Sequence, residues 1–331
     1  MQLRNESDAL ESTAETVAQL RADILRSLRD VVVGLDAVAD QLLVALFGGG
    51  HVLMEGVPGT AKTTLCKSFA QTLGVDFQRI QFTPDLLPSD VTGTYIYDRN
   101  KSEFQLRKGP VFTNVLLADE LNRAPAKTQS SLLEAMQERQ TTIEGSTMPL
   151  PDPFMVLATQ NPIEQEGVYR LPEAQLDRFL LRVNVGYPNR DAEIDMLEVQ
   201  SEPKSIERSI ATLEDVIAVR HAVPSVYAAD EIREYIIDVA RASRSHADIA
   251  LGASPRAALC MLHASRSNAL LNGRTFVTHQ DVQEVADSVL AHRLILQPEA
   301  EIEGRDMQTL IREVLNEVPI NKPAGRSATK G

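Results

Sequence analysis

Two periods of hydrophobic recurrence run along this chain of 331 residues, and the switch between them divides it. From Thr13 to Arg29, Val17, Leu20, Ile24 and Leu28 return at steps of three and four, the spacing of one helical face. Residues 1–12 read as a loose polar lead. "VVVGLD" interrupts the pattern, and Asp36 to Phe47 reads as a second helix stopped by Gly48-Gly49-Gly50. Short apolar runs then alternate with helical stretches. "HVLME" (51–55), "VLLADE" (115–120), "FMVLATQNP" (154–162) and "LRVNVGYP" (181–188) have the length of strands, and "VDFQRIQF" (75–82) alternates as a strand would. Thr60 to Leu73 and "AKTQSSLLEAMQER" (126–139) are helical between them. Apolar strands bounded by helices suit a sheet covered on both faces, so the spacing predicts an α/β fold with a doubly wound parallel sheet. The β-rich arms around "DRNKS" predict a hairpin inserted at residues 91–110, and "QTTIEGSTMPL" a smaller one.

Beyond Tyr187-Pro188 the strand-like runs stop. Segments 189–200, 212–222, 229–244, 255–271 and 279–293 all carry helical spacing. The expected division is a helix over 1–30, an α/β domain over 31–186, a small all-α domain over 187–320 and a disordered tail over 321–331.

Composition narrows the function classes. At 43% hydrophobic and 24% charged, the chain has enough apolar surface to bury a core over most of its length. It has no apolar run of 18 residues, so no membrane-spanning helix is expected. The polar start "MQLRNESDAL" argues against a secretory leader. Cys66 and Cys260 lie far apart in no CxxC pattern, which points to a reducing cytoplasm. A net charge of −13, from 33 basic against 46 acidic residues, speaks against nucleic acid as a general partner. A local basic channel could still form in an assembly.

The chemistry begins at "MEGVPGTAKTTLC". Gly56, Val57, Pro58, Gly59, Thr60, Ala61, Lys62, Thr63 and Thr64 follow a strand and open a helix, the context in which backbone N–H groups cradle phosphates. Lys62 is expected on the β- and γ-phosphates and Thr63 on Mg²⁺. Ala61 stands where such loops usually carry glycine. Because that position borders the helix, a negative φ and good helix propensity would make alanine tolerable there.

An apolar strand ending in Asp119-Glu120 sets two carboxylates at the carboxyl edge of the sheet, where ligands bind in such folds. Asp119 is expected to hold Mg²⁺ through water and Glu120 to polarise the attacking water. A strand-end pair of acids could instead cap a helix. The strand at 154–162 likewise ends in polar Thr159, Gln160 and Asn161, which could orient that water or merely form a turn before Pro162. Arg178 ends a short helix in "LPEAQLDRFL", and Arg256 is the second residue of a helix capped by Ser254 with Pro255 first. A cation at a helix N-terminus is disfavoured unless it meets an anion, or an ion-pair partner.

In this order the residues resemble the AAA+ ATPases, and within them the MoxR family. "GVPGTAKTT" resembles Walker A, "LLADELNRAP" Walker B, Asn161 in "ATQNP" sensor 1, Arg178 in "LPEAQLDRF" the arginine finger, and Arg256 in "GASPRA" sensor 2. Residues 91–110 resemble the helix-2 insert and 141–150 the pre-sensor hairpin of that clade. Asp36 stands where the family often has glutamine, which leaves the adenine contacts open. The resemblance implies a P-loop NTPase sheet followed by a small all-α lid. It also implies ATP and Mg as cofactors, hydrolysis in a homo-oligomeric ring that is commonly a hexamer, and chaperone-like work on protein complexes. Relatives of this kind act with von Willebrand A domain proteins, and no such domain is expected in this chain. Two other readings remain open: a nucleotide-dependent scaffold or switch with little turnover, and a DNA-stimulated motor of a related clade. The second draws on Arg99, Lys101, Arg107 and Lys108 in the inserted hairpin.

Overall fold

The computed structural model describes residues 2–57, 59–160, 169–188, 190–199 and 206–320. Helix α1 spans Gln2–Arg29 and α2 Asp36–Phe47, leading into strand β1 (Val52–Glu55) and α3 (Lys62–Thr72). The loose lead expected over residues 1–12 is instead helical from Gln2 onward. No proline or glycine interrupts that stretch, and the packed second half, with Ala14, Val17, Ile24 and Leu28 buried, supplies the nucleus for the rest.

The chain then forms β2 (Phe77–Gln81), the one-turn α4 (Pro88–Thr92), a hairpin of β3 (Gly93–Asp98) and β4 (Glu103–Lys108), β5 (Val115–Asp119) and α5 (Ala126–Glu138). A second hairpin, β6 (Gln140–Ile143) with β7 (Ser146–Pro149), precedes β8 (Met155–Gln160), α6 (Glu173–Leu176) and β9 (Leu181–Asn184). Five of these strands make one parallel sheet in the order β2-β5-β8-β1-β9. The two hairpins lie outside it.

Pleating explains why the three central strands, β5, β8 and β1, are apolar without alternation. Val52, Met54, Val115, Leu117, Met155 and Leu157 join one buried cluster, while Leu53, Leu116, Ala118, Val156 and Ala158 join another on the opposite face. The second cluster is closed by Leu132, Leu133 and Met136 of α5.

After β9 the described residues are mainly helical: α7 (Arg190–Val199), α8 (Leu213–Ala222), α9 (Asp230–Ser245), α10 (Pro255–Leu271), α11 (His279–Leu290), α12 (Pro298–Ile302) and α13 (Met307–Glu317). Their buried residues, among them Val216, Val239, Met261, Val285 and Val314, belong to the same cluster as α1, α2 and the first sheet face. A two-stranded ladder of Ile249–Leu251 with Ile295–Leu296 was not anticipated. At two and three residues it is too short to show a period of its own. Residues 321–331, expected as a tail, lie outside the described residues.

His51 plugs the amino-terminal end of the sheet. Its Nδ1 accepts the Val156 N–H at 2.9 Å, so Nε2 carries the proton and donates to the Met136 carbonyl at 3.1 Å. Burial, then the neighbouring Arg139 charge, pushes its pKa down to about 3, and burial holds His292 well below the usual imidazole value. Both rings are therefore neutral when folded and take up protons on unfolding anywhere below about pH 6.5. Stability is present in full above that pH and falls as pH drops through the window toward 3. Between pH 6.5 and 5, where carboxylates barely titrate, the pH slope of the urea-unfolding free energy should correspond to uptake of more than about one proton. A flat slope there would show that the two rings are charged in the folded protein.

Candidate functional site

Three strand ends and one loop meet at the carboxyl edge of the sheet. The loop leaves β1 at Gly56, where an added Cβ would come 2.2 Å from the Val185 carbonyl oxygen beyond β9. Glycine is required there by this close approach. Gly59 has φ +84° and Ala61 has φ 56°, ψ 20°. The expectation of a negative φ at Ala61 is thus corrected: the residue before Lys62 is left-handed, which costs a Cβ-bearing residue about 1–2 kcal/mol and explains the usual glycine. Thr60 is buried, with its hydroxyl on the Val57 carbonyl at 3.1 Å. Thr63 is half-buried and Thr64 exposed on the first turn of α3. Pro58 lies outside the described residues.

Lys62 folds back into the loop, its ammonium donating to the carbonyls of Gly56 (2.6 Å) and Val57 (3.2 Å). Burial lowers its pKa, and the fields of Asp119 and Glu120 act in the opposite sense. Phosphate oxygens could replace those two carbonyls with no gross movement of the side chain.

Asp119 ends β5, next to Gln81 of β2 on one side. Its Oδ1 accepts from the Thr159 hydroxyl at 2.6 Å, and its Oδ2 from the Arg79 guanidinium at 2.7 Å. Glu120 follows in the left-handed region, φ 56°, ψ 46°. Its Oε2 accepts from Gln81 at 2.6 Å and pairs with Arg123 at 3.1 Å. Arg79 and Gln81 were missed in the sequence. The available signal was two polar side chains at i and i+2 of a sheet strand, hence on one face. Asn161 lies outside the described residues.

Beside the loop is a mainly apolar cavity of about 380 Å³ walled by Val33, Leu35, Tyr187, Pro188 and Met196, with Gly59 to Ala61 at its end. Such walls can take a planar base. Asp36 is not among its lining residues and forms an ion pair with Arg29.

Arg178 and Arg256 are brought together, but at the other edge of the sheet. Both line a pocket of about 260 Å³ with His51, Arg139 and His263. Five residues of extended chain, about 3.3 Å each, separate His51 from Gly56, so this pocket lies about 16 Å from the phosphate loop along β1. Arg178 rests on the Leu133 carbonyl at 2.7 Å. Its loop is braced by Arg293, which donates to Asp177 at 2.7 Å and to the Leu180 carbonyl at 3.1 Å, and by His292 on the Phe179 carbonyl at 3.1 Å. Arg256 occupies the second position of α10, behind the Ser254 hydroxyl that accepts from Ala257 N–H. A pocket so rich in cations can receive an anion, and the molecule's own phosphate loop is too far away to provide it.

Comparison with known proteins bears on the family and the fold. Residues 51–181 match the model of the ATPase family associated with various cellular activities (AAA), and residues 241–314 that of the AAA lid domain. An uncharacterized Bacillus subtilis protein, YeaC, is 45% identical over 96% of this chain and 99% of its own. Chaperone MoxR1 of Mycobacterium tuberculosis is 44% identical over 88% of this chain and 80% of its own. The crystal structure of an ATPase candidate from Cytophaga hutchinsonii superposes with a TM-score of 0.90 at 42% identity, covering 96% of this chain and 99% of that one. With its phosphate loop, paired strand-end carboxylates and matches at this level, the chain belongs to the MoxR family of AAA+ ATPases.

Proposed function

We propose that this protein hydrolyses ATP with Mg²⁺ as one subunit of a homo-oligomeric ring, a hexamer, and uses the cycle to remodel or mature protein complexes. What supports the reading is that Lys62, Asp119 and Glu120 share one edge of the sheet while Arg178 and Arg256 share the opposite one. A head-to-tail neighbour would then complete each site. Lys62 and the loop bind the β- and γ-phosphates, the apolar cavity takes the adenine, and Glu120 accepts a proton from the attacking water. Asn161 orients that water, and Arg178 and Arg256 meet the nucleotide of the adjoining subunit.

The Thr63 hydroxyl and the Asp119 carboxylate are hard oxygen donors, which suits Mg²⁺ held partly by side chains and partly by nucleotide phosphates. Among the described residues no group of three or more His, Cys, Asp and Glu could cage a metal unaided. Held by these two residues, the ion would supply positive charge to offset that of the phosphates.

Glu120 is held by Gln81 and Arg123 in the isolated chain, which supports slow turnover before assembly. On the inserted hairpin, Tyr97 and Phe104 are exposed and stack edge-on at 5.3 Å beside the basic tip. The hairpin is proposed to face the ring's pore and meet the client. A von Willebrand A domain partner, a client enzyme complex and a cytoplasmic setting belong to the same proposal. The basic hairpin keeps the DNA-stimulated motor as the alternative; acceleration of hydrolysis by DNA would favour it.

Calorimetry of Lys62→Ala tests the binding half. Loss of the charge-assisted contacts to phosphate should weaken ATP about 100-fold or more. Undiminished affinity would show that the loop does not hold the triphosphate.

A further inference from the structure

β8 is apolar from Met155 to Ala158 and then buries a single hydroxyl, Thr159, which is 2% exposed. Lying between Met54 of β1 and the end of β5, it is closed off from solvent. Its one proton goes to Asp119 Oδ1 at 2.6 Å, and its oxygen accepts the Glu120 backbone N–H at 2.8 Å. One side chain thus holds both strand-end acids, and it holds them differently. On Asp119 it fixes the carboxylate plane and commits Oδ1, so that Oδ2 is the oxygen turned outward, where Arg79 meets it with a side chain 46% exposed. On Glu120 it satisfies the amide of a residue whose left-handed backbone is disfavoured for anything bearing a Cβ. That backbone turn determines where the Glu120 side chain departs from the strand.

We infer that Thr159 is a positioning residue of the hydrolytic site: its hydroxyl selects the Asp119 oxygen offered to the metal and holds Glu120 in the left-handed turn that aims its carboxylate. The inference rests on the roles proposed above for Asp119 and Glu120. It differs from the expectation that Thr159, as part of a polar strand end, orients the water directly, because the buried hydroxyl has no line to it. Outer-shell partners of this kind are worth about 10- to 100-fold in metal affinity or activity.

Thr159→Val keeps the branched shape and removes both hydrogen bonds. It should lower turnover at saturating ATP by about 10- to 100-fold and raise by a similar factor the Mg²⁺ concentration that half-saturates binding of a non-hydrolysable ATP analogue. Affinity for the same analogue in EDTA should stay within about threefold, and Thr159→Ser should match the parent in every measurement within about threefold, because its hydroxyl can make both bonds. A Thr159→Val protein of unchanged melting temperature with normal turnover and Mg²⁺ requirement would overturn the assignment. Should Thr159→Val fail to fold, Thr159→Ala against Thr159→Ser makes the same comparison, and equal values for the two would overturn it. Glu120→Gln run in parallel separates the two levels. Its retention of turnover would remove the role of Glu120 itself, whereas a normal Thr159→Val beside an inactive Glu120→Gln removes only that of Thr159.

Discussion

Arg178→Ala should bind ATP within about threefold of the parent and lose about 10³- to 10⁵-fold in turnover, the range an arginine finger contributes to phosphoryl transfer. Binding survives because Arg178 lies at the amino edge of the sheet, with His51 and Arg139, and has no part in its own subunit's phosphate loop. Turnover should fall because charge spreads over the γ-phosphate oxygens during transfer and, in the proposed ring, the cation that meets it comes from the neighbour. In the isolated chain the guanidinium donates to the Leu133 carbonyl, a contact that the proposed assembly would exchange for phosphate. Turnover per subunit should accordingly rise with protein concentration. Mixing gives the sharper test. Arg178→Ala and Lys62→Ala subunits should each be inactive alone, yet at interfaces where the first supplies the loop and the second the arginine, activity should return. If mixtures shown to co-assemble recover nothing, Arg178 acts within its own subunit or not at all.

Glu120→Gln should trap ATP rather than turn it over. The amide cannot accept the water's proton, and a positioned general base is worth about 10²- to 10⁴-fold. Shape and backbone are preserved, so the left-handed turn and its bond to Thr159 remain. Nucleotide affinity by calorimetry should be normal and single-turnover hydrolysis slowed by that factor. A decrease of less than about tenfold would mean that another group activates the water.

How much of this was legible in the chain depends on where each property resides. The buried strands were readable because an apolar residue on both faces of a sheet is a property of composition: Val115 to Ala118 and Met155 to Ala158 can hardly be anything else. The phosphate loop and the strand-end acids were readable for the same reason, since their residue types sit next to their structural context. Ala61 was misjudged because a dihedral angle is not written in a side chain; only the closing of the loop onto α3 imposes φ 56°. The hydrogen bonds that tie Arg79 and Gln81 to the two acids, and Thr159 to both, join residues about forty positions apart. They exist because the strand order sets β2, β5 and β8 side by side, which no local pattern reveals. Arg178 and Arg256 were each suspected singly. Their meeting in one pocket depends on how α10 packs beside the loop before β9.

In the assembly proposed above, the two edges of the sheet act as the head and the tail of each subunit. Contacts of that kind close into rings when the rotation allows it and otherwise grow as open chains. In an open chain of n subunits the terminal loop has no neighbour, so n − 1 sites are complete, and a dimer works at half its capacity. Closing the chain adds one site without adding a subunit. The gain per subunit is a factor of n/(n − 1), and a ring that loses one member surrenders two partnerships at once. In such a ring, a factor that opens or seals a single junction would change the number of complete sites by one, without touching a nucleotide.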